Sequence, residues 1–331
     1  MKYLITGGAG FIGSHLVDAL IAKNEEVVIL DDLSTGRIEN IEHCLGSNQV
    51  RFVEGSTTDE GLVDGCMGEA DVCLHLASAV GVKLIVSQPL DTLLRNVRGA
   101  DTVLAAAARH ERRLLFTSTS EIYGKSGEQV LSENCDRLLG SPLKSRWSYG
   151  IAKAFGEALV SSYHRQRGSE MIVVRLFNTV GPRQAGAYGM VLPRFVQQAL
   201  DGDDLTVYGN GTQSRCFMHV ADAVQAILHL VESDLALGKA YNVGSDVEVA
   251  IVELARRVLE HVGSESKIEL VPYEEAYDEG FEELGRRRPD ASAIERLIGW
   301  KPTRSLDDAI EDVITHERST MALRGNGTLA R

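Results

Sequence analysis

Met1–Leu20, M-K-Y-L-I-T-G-G-A-G-F-I-G-S-H-L-V-D-A-L, is the stretch that decides the fold. Tyr3 to Thr6 read as a short buried strand. Gly7, Gly10 and Gly13 then space a G-x-x-G-x-x-G turn. From about Phe11 the apolar residues Ile12, Leu16, Val17 and Leu20 recur at helical spacing. A strand, a glycine turn and a helix in that order open a dinucleotide-binding fold. Glycine lets the backbone approach a pyrophosphate with no Cβ in the way. The helix N-terminus offers N–H groups and a partial positive charge to the anion. Such a turn also occurs as a plain βα connection that binds nothing. Two features favour binding: the turn follows an N-terminal strand, and a second apolar strand, Glu26 to Leu30, ends in Asp31-Asp32. An acid there accepts from an adenosine ribose hydroxyl and repels a 2′-phosphate, which favours NAD; Arg37 close by keeps NADP open.

The chain of 331 residues is long enough for one large or two ordinary domains. A net charge of −13 and the lack of an evident basic face speak against nucleic-acid binding. No apolar run approaches a membrane span, and the N-terminus enters a strand directly, so a cytoplasmic protein is the expectation. Cys44, Cys66, Cys73, Cys135 and Cys216 form no C-x-x-C pair and read as scattered reduced thiols, with no metal site suggested.

Strand-like and helix-like segments alternate outward from the opening. Val50–Glu54, Asp71–Leu76, Arg113–Thr117 and Met171–Leu176 read as further strands, and Asp91–His110 and Tyr149–Arg167 as long helices. The pattern predicts an α/β Rossmann fold: a doubly wound parallel sheet whose ligands sit beyond the carboxyl ends of the strands. After Phe177 the rhythm breaks. Gly181–Tyr188 reads as a loop and Val191–Leu200 as a helix. A strand and turn follow at Leu205–Gly211, a helix at Val220–Val231 and a strand at Ala240–Val243. The series ends with a helix at Ile251–Val262, a strand at Lys267–Val271 and a closing helix at Leu306–Glu317. The expected organisation is a Rossmann unit over 1–177, with a returning segment at about 216–243, and a smaller C-terminal α/β substrate unit over 178–215 and 244–331. Arg324–Arg331 reads as a frayed tail and Glu279–Glu283 as a solvated acidic loop.

The fifth strand runs into T-S-T-S-E-I-Y-G, Thr117 to Gly124, and W-S-Y-G-I-A-K places Tyr149 and Lys153 four apart. One helical turn puts both on the same face. An ammonium beside a phenol is expected to lower the tyrosine pKa and give a usable base, with Thr119 bonding the same substrate oxygen. A lone Tyr-x-x-x-Lys is common on surfaces; here it accompanies a hydroxyl-rich strand end and a dinucleotide turn. His75, His219, Trp147 and Trp300 read as packing residues.

Over almost its whole length the chain resembles the extended short-chain dehydrogenases/reductases that act on nucleotide sugars. The matching pieces are T-G-G-A-G-F-I-G (Thr6–Gly13), D-D-L-S-T-G (Asp31–Gly36), H-L-A-S (His75–Ser78) and N-V-R-G (Asn96–Gly99). Others are Y-G-I-A-K (Tyr149–Lys153), R-L-F-N-T-V-G-P-R (Arg175–Arg183) and V-Y-G-N-G-T-Q-S-R (Val207–Arg215). The resemblance implies that Tyr149 removes the sugar C4-hydroxyl proton while hydride goes to NAD⁺. It makes Lys153 the holder of the nicotinamide ribose and Thr119 an assistant. It assigns the cofactor to Gly7, Gly10, Phe11, Ile12, Gly13, Asp31, Asp32, Ser34, Thr35, Gly36, Ser56, Thr57, Leu76, Ala77, Ser78, Asn96, Thr117, Tyr149 and Lys153. The nucleotide sugar falls to Val80, Lys83, Thr119, Glu121, Tyr149, Asn178, Val191, Arg194, Tyr208, Arg215 and Arg287. It also implies a homodimer through Asp91–His110 and Tyr149–Arg167.

Within that group three features resemble UDP-glucuronate decarboxylases: Thr119-Ser120-Glu121, the lead-in P-L-K-S-R-W-S-Y-G-I-A-K, and G-R-R-R-P-D, Gly285 to Asp290, where Arg287 matches a substrate-carboxylate arginine. Decarboxylation through a 4-keto sugar, giving UDP-xylose or its 4-keto form, is the reading this supports. Glu121 and Ser120 would then orient the ring and assist carboxylate departure or C5 reprotonation. A 4-epimerase acting on UDP-glucose or UDP-glucuronate stays open, since Ala79–Lys83 (A-V-G-V-K) resembles epimerases. So does a 4,6-dehydratase, where a T-S-E triplet also occurs. Ser56 stands where the family often has Asp, and Cys216 follows Arg215 where Asp is usual.

Overall fold

Strand residues of alternating side-chain direction build the centre of the molecule. The computed structural model describes residues 1–186, 190–276 and 286–325. Its first half runs β1 (Lys2–Thr6), α1 (Phe11–Ala22), β2 (Glu26–Asp31), β3 (Val50–Glu54), α2 (Glu60–Glu69), β4 (Val72–His75), α3 (Val82–Ser87), α4 (Pro89–Arg109), β5 (Arg113–Thr119), α5 (Ser148–Arg167) and β6 (Met171–Leu176). The second half runs β7 (Thr179–Val180), α6 (Val191–Asp201), β8 (Leu205–Tyr208), β9 (Ser214–Cys216), β10 (Met218–His219), α7 (Val220–Val231), β11 (Ala240–Val243), β12 (Glu248–Ala250), α8 (Ile251–Val262), β13 (Ile268–Val271), α9 (Tyr273–Ala276), α10 (Ser292–Ile298) and α11 (Leu306–Gly325).

Seven strands form one sheet in the order β11-β6-β5-β4-β1-β2-β3, and every pair in it is parallel. Tyr3, Ile5, Val27, Ile29, Val72 and Leu74 point to one face, against Leu16 and Leu20 of α1 and Val224 and Ile227 of α7. Leu4, Val28, Leu30 and Cys73 point to the other, against Val63 and Met67 of α2, Val103 and Leu104 of α4 and Val160 of α5. Burial on both faces is why these strands read as continuous apolar runs. The sheet is the doubly wound one the alternation predicts, and β11 joins it at the β6 edge after a long excursion.

A second apolar core lies among α6, α8 and α11, with Phe195, Val196, Leu254, Val258, Ile310 and Val313 buried beside Leu205 and Val207 of β8. Ile294 of α10 and Trp300 pack back onto the first core. Trp300 Nε1 donates to the Asp222 carbonyl at 3.1 Å.

Two local expectations shift. β5 runs on to Thr119. The last helix continues to Gly325, so Arg324 belongs to it and not to a frayed tail. The apolar period fades after Glu317, but Met321, Ala322 and Leu323 are good helix formers and no Gly or Pro intervenes. Residues 326–331, the Glu279–Glu283 stretch and 187–188 of the expected loop lie outside the described residues. The short antiparallel pair β9–β12 was not legible: three residues are too few to show a period. No described helix is long and apolar enough to cross a membrane.

Candidate active site

The carboxyl ends of β1, β2, β4 and β5 open onto a cleft of about 360 Å³. Gly7, Gly10 and Gly13 line one end of it with Phe11 and Ile12. Gly10 caps α1 without a side-chain hydrogen bond, and the first turn of that helix holds no acid. Its N–H groups are thus left to an external anion, which is the fit a dinucleotide pyrophosphate requires. The turn is also too tight for side chains. A Cβ on Gly13 would come 2.1 Å from the Gly7 carbonyl oxygen, and one on Gly7, at φ +75°, 2.7 Å from the Ala77 nitrogen. Gly13→Ala should destabilise the protein by about 1–3 kcal/mol through overpacking and weaken dinucleotide binding, as read by denaturant titration and cofactor fluorescence.

The acids after β2 divide their work. Asp31 is buried and accepts N–H bonds from Ala9 and Leu33, each at 2.9 Å, so it braces the glycine turn. Burial raises its pKa against the pull of those bonds. Its oxygens keep further acceptor capacity toward the cleft they line. Asp32 is more open and accepts from Ser34 N at 3.0 Å and Ser34 Oγ at 2.5 Å, with Arg95 at 3.7 Å. Every residue the family resemblance assigned to the cofactor lines this cleft; Arg37, Asn40 and Arg95 join them. His75 is the packing residue expected: its Nδ1 lies 2.7 Å from Thr6 Oγ1, and burial lowers its pKa to about 3.

Tyr149 and Lys153 both face the cleft from the first turns of α5, nearly inaccessible to solvent. The Lys153 ammonium donates to the Thr117 carbonyl at 2.8 Å and lies 5.9 Å from the centre of the Tyr149 ring. The expectation that it lowers the tyrosine pKa is corrected here. Burial and the Glu121 charge push the Tyr149 hydroxyl well above its ordinary value, and nearby Ser78 offsets only part. Burial also lowers Lys153 from 10.5 to about 7.

The Lys153 shift has a stability consequence. Below pH 7 the folded chain carries the ammonium at full desolvation cost. Between about 7 and 10.5 the unfolded chain binds the proton that the folded chain has released, so stability rises with pH over that window. At about 1.4 kcal/mol per unit, the total is on the order of a few kcal/mol. Denaturant unfolding of the ligand-free protein should show this rise, and Lys153→Met should lack it and be more stable at pH 7.

Thr119 ends β5, and its Oγ1 accepts from the Glu121 N–H at 3.2 Å. Glu121 itself is gripped by Arg146, with Nη1 to Oε2 at 2.5 Å and Nη2 to Oε1 at 3.0 Å. Arg287 lies 3.7 Å from Glu121 and 3.5 Å from Ser120 Oγ. Burial works against the Glu121 anion, but Arg146, Arg287 and Arg215 together hold its pKa below the usual carboxylate value. Two guanidinium groups, those of Arg146 and Arg287, thus lie against the Glu121 carboxylate. Arg146 was visible in the lead-in to α5, but its role was not: nothing in the sequence pairs it with a residue 25 positions earlier.

The remaining assignments spread out. Val80, Asn178 and Arg287 line the cleft; Asn178 Nδ2 donates to the Cys216 carbonyl at 3.3 Å. Val191, Arg194, Tyr208 and Arg215 lie outside its lining. Arg194 stacks 4.1 Å over Tyr208, and its Nη2 donates to the Thr206 carbonyl at 3.0 Å, which binds α6 to β8. Of Lys83 only the backbone, in α3, is described. Arg183, Gln184 and Met190, not singled out beforehand, complete the wall. His219 caps α7 through Ala221 N at 3.0 Å and faces Asp312 at 3.1 Å. Trp147 is buried in packing.

A glycine-cradled cleft with a Tyr–Lys pair at the other end defines an enzyme of the extended short-chain dehydrogenase/reductase class. A family model described as GDP-mannose 4,6 dehydratase matches residues 4–313, and the chain belongs to that family. It is 38% identical over 314 residues to the UDP-N-acetyl-alpha-D-glucosaminuronate decarboxylase of Bacillus cytotoxicus, covering 95% of this chain and 96% of that one. It is 35% identical to UDP-glucuronic acid decarboxylase 1 of Xenopus tropicalis, over 98% of this chain and 74% of the other. Among solved structures, UDP-glucuronic acid 4-epimerase from Bacillus cereus, in complex with UDP-glucuronic acid and NAD, aligns with a TM-score of 0.86 at 26% identity, covering 97% of this chain and 100% of that one.

Proposed function

We propose that the protein is an NAD-dependent decarboxylase of UDP-glucuronate, working through a 4-keto sugar. The observation that carries this reading is the buried guanidinium of Arg287, which lines the cleft beside Ser120, Glu121 and Tyr149. A guanidinium lining a desolvated pocket suits a substrate that brings its own carboxylate. Arg287 is assigned to that carboxylate. Glu121, held ionised, orients the arginines and the ring; it is poorly suited to giving up a proton.

The cofactor's assignment as NAD rests on Asp31 and Asp32 at the ribose end and on the NAD held by the structural neighbour. The glycine turn would hold its pyrophosphate and Lys153 its nicotinamide ribose; when bound, the nicotinamide supplies the hydride acceptor and donor. Tyr149 takes the C4-hydroxyl proton. The resulting ketone makes the substrate a β-keto acid, and loss of CO₂ leaves an enolate whose oxygen Tyr149 and Thr119 can stabilise by hydrogen bonding. We assign dinucleotide binding to 1–177 with the returning segment at about 216–243, and the sugar nucleotide to 178–215 and 244–331. A homodimer in the cytoplasm completes the proposal: Leu90 and Leu94 of α4 and Ile151 and Phe155 of α5 are exposed apolar residues on two helices that pack together.

Incubation with NAD⁺ and UDP-glucuronate, followed by mass analysis, tests the reading. A product lighter by one CO₂ supports it. Unchanged mass with a new retention time would make the protein a 4-epimerase, and loss of water from a neutral hexose nucleotide a dehydratase. The Bacillus cytotoxicus relative favours a second substrate, the 2-acetamido uronate, which the same assay compares directly.

A further inference from the structure

We propose that Asn242 is the positioning residue that keeps Arg287 turned into the site, and that it ties Arg287 to the helix bearing the tyrosine base. This rests on the reading that Arg287 takes the substrate's carboxylate. The R-R-R run is an extended segment with alternating side chains. Arg286 pairs outward with Glu248, Nε to Oε1 at 2.7 Å, and Arg288 outward with Asp246 at 3.2 Å, while Arg287 between them is buried and faces Ser120 and Glu121. A shift of one residue would turn Arg287 out of the site and a neighbour in.

The register is set by Leu131, whose N–H donates to the Arg288 carbonyl at 2.8 Å and whose carbonyl accepts from Asp290 N at 2.9 Å. Asn242, wholly buried on β11, closes this bridge. Its Nδ2 donates to the Leu131 carbonyl at 2.8 Å and to the Asp290 carbonyl at 3.2 Å, and its Oδ1 accepts from the Tyr123 hydroxyl at 2.7 Å. The same hydroxyl accepts from Arg175 Nη1 at 2.8 Å. Arg175 grips Glu157 through Nε at 3.0 Å and Nη2 at 2.7 Å, and Glu157 is one turn beyond Lys153 on α5. Both Nδ2 hydrogens of the Asn242 side chain are donated and its Oδ1 is engaged. One buried amide therefore joins the Arg287 segment, the turn after Glu121 and the base helix. Such fully satisfied networks fix a single arrangement.

The test is calorimetric titration of the NAD-loaded full chain with UDP-glucuronate and with UDP-glucose, which lacks the carboxylate. Asn242→Ala should weaken uronate binding about tenfold and leave hexose binding within about twofold, because the ligand contact it loosens is the charge-assisted one that the hexose does not make. Tyr123→Phe keeps the packing, removes the hydroxyl that orients the amide, and should give a smaller loss of the same selectivity. If Asn242→Ala fails to fold, the Tyr123→Phe ratio decides. Equal losses for both ligands, or an unchanged ratio in folded protein, overturn the proposal. A wild-type enzyme that binds the uronate no better than the hexose would instead sink the functional reading. Binding without CO₂ release would sink only the decarboxylation and leave the role of Asn242 standing.

Discussion

Tyr149→Phe should lower turnover of the UDP-sugar by about 10²–10⁴-fold, the range that general acid–base catalysis contributes, with dinucleotide and sugar nucleotide still bound. The phenyl ring keeps the packing of α5 against the cleft, so only the proton acceptor is lost. In the ligand-free site burial and Glu121 both oppose the phenolate. The hydroxyl therefore needs positive charge brought close before it can act as a base. Lys153 already stands in that site and is itself lowered to about 7 by burial, so the added positive charge would be that of the oxidised nicotinamide when bound. Single-turnover absorbance of reduced cofactor measures the step directly. Ordinary turnover in the phenylalanine variant would remove Tyr149 from the chemistry.

The second large effect is on stability. Arg146 is 4% exposed and donates both bonds that hold Glu121. Arg146→Met should destabilise the protein by about 3–5 kcal/mol, because a buried carboxylate loses its bidentate partner. In the wild type the depressed Glu121 pKa contributes stability above the unfolded pKa, and this is lost as pH falls through the folded value. Without Arg146 the Glu121 anion loses its largest compensating charge while burial still opposes it, so the penalty should grow as the carboxylate ionises with rising pH. Adding Glu121→Gln removes the stranded charge. The double variant should recover much of the stability and none of the activity. Denaturant unfolding of the single and double variants reads the coupling, and additive losses would dissolve the pair.

What the sequence alone determined was local. The glycine turn, the Tyr149–Lys153 spacing and the alternation of strands and helices each depend on residues a few positions apart, and backbone geometry turns those spacings into shape without help from the rest of the chain. The cleft lining around Gly7–Gly13 and Asp31–Gly36 was legible for that reason. Only the tertiary structure decided the electrostatics. Arg146 and Arg287 reach Glu121 from separate parts of the chain, the outward pairs of Arg286 and Arg288 depend on Glu248 and Asp246, and the sign of the Tyr149 shift follows from burial. Desolvation and charge pairing act through distance in space, and no spacing along the chain encodes them.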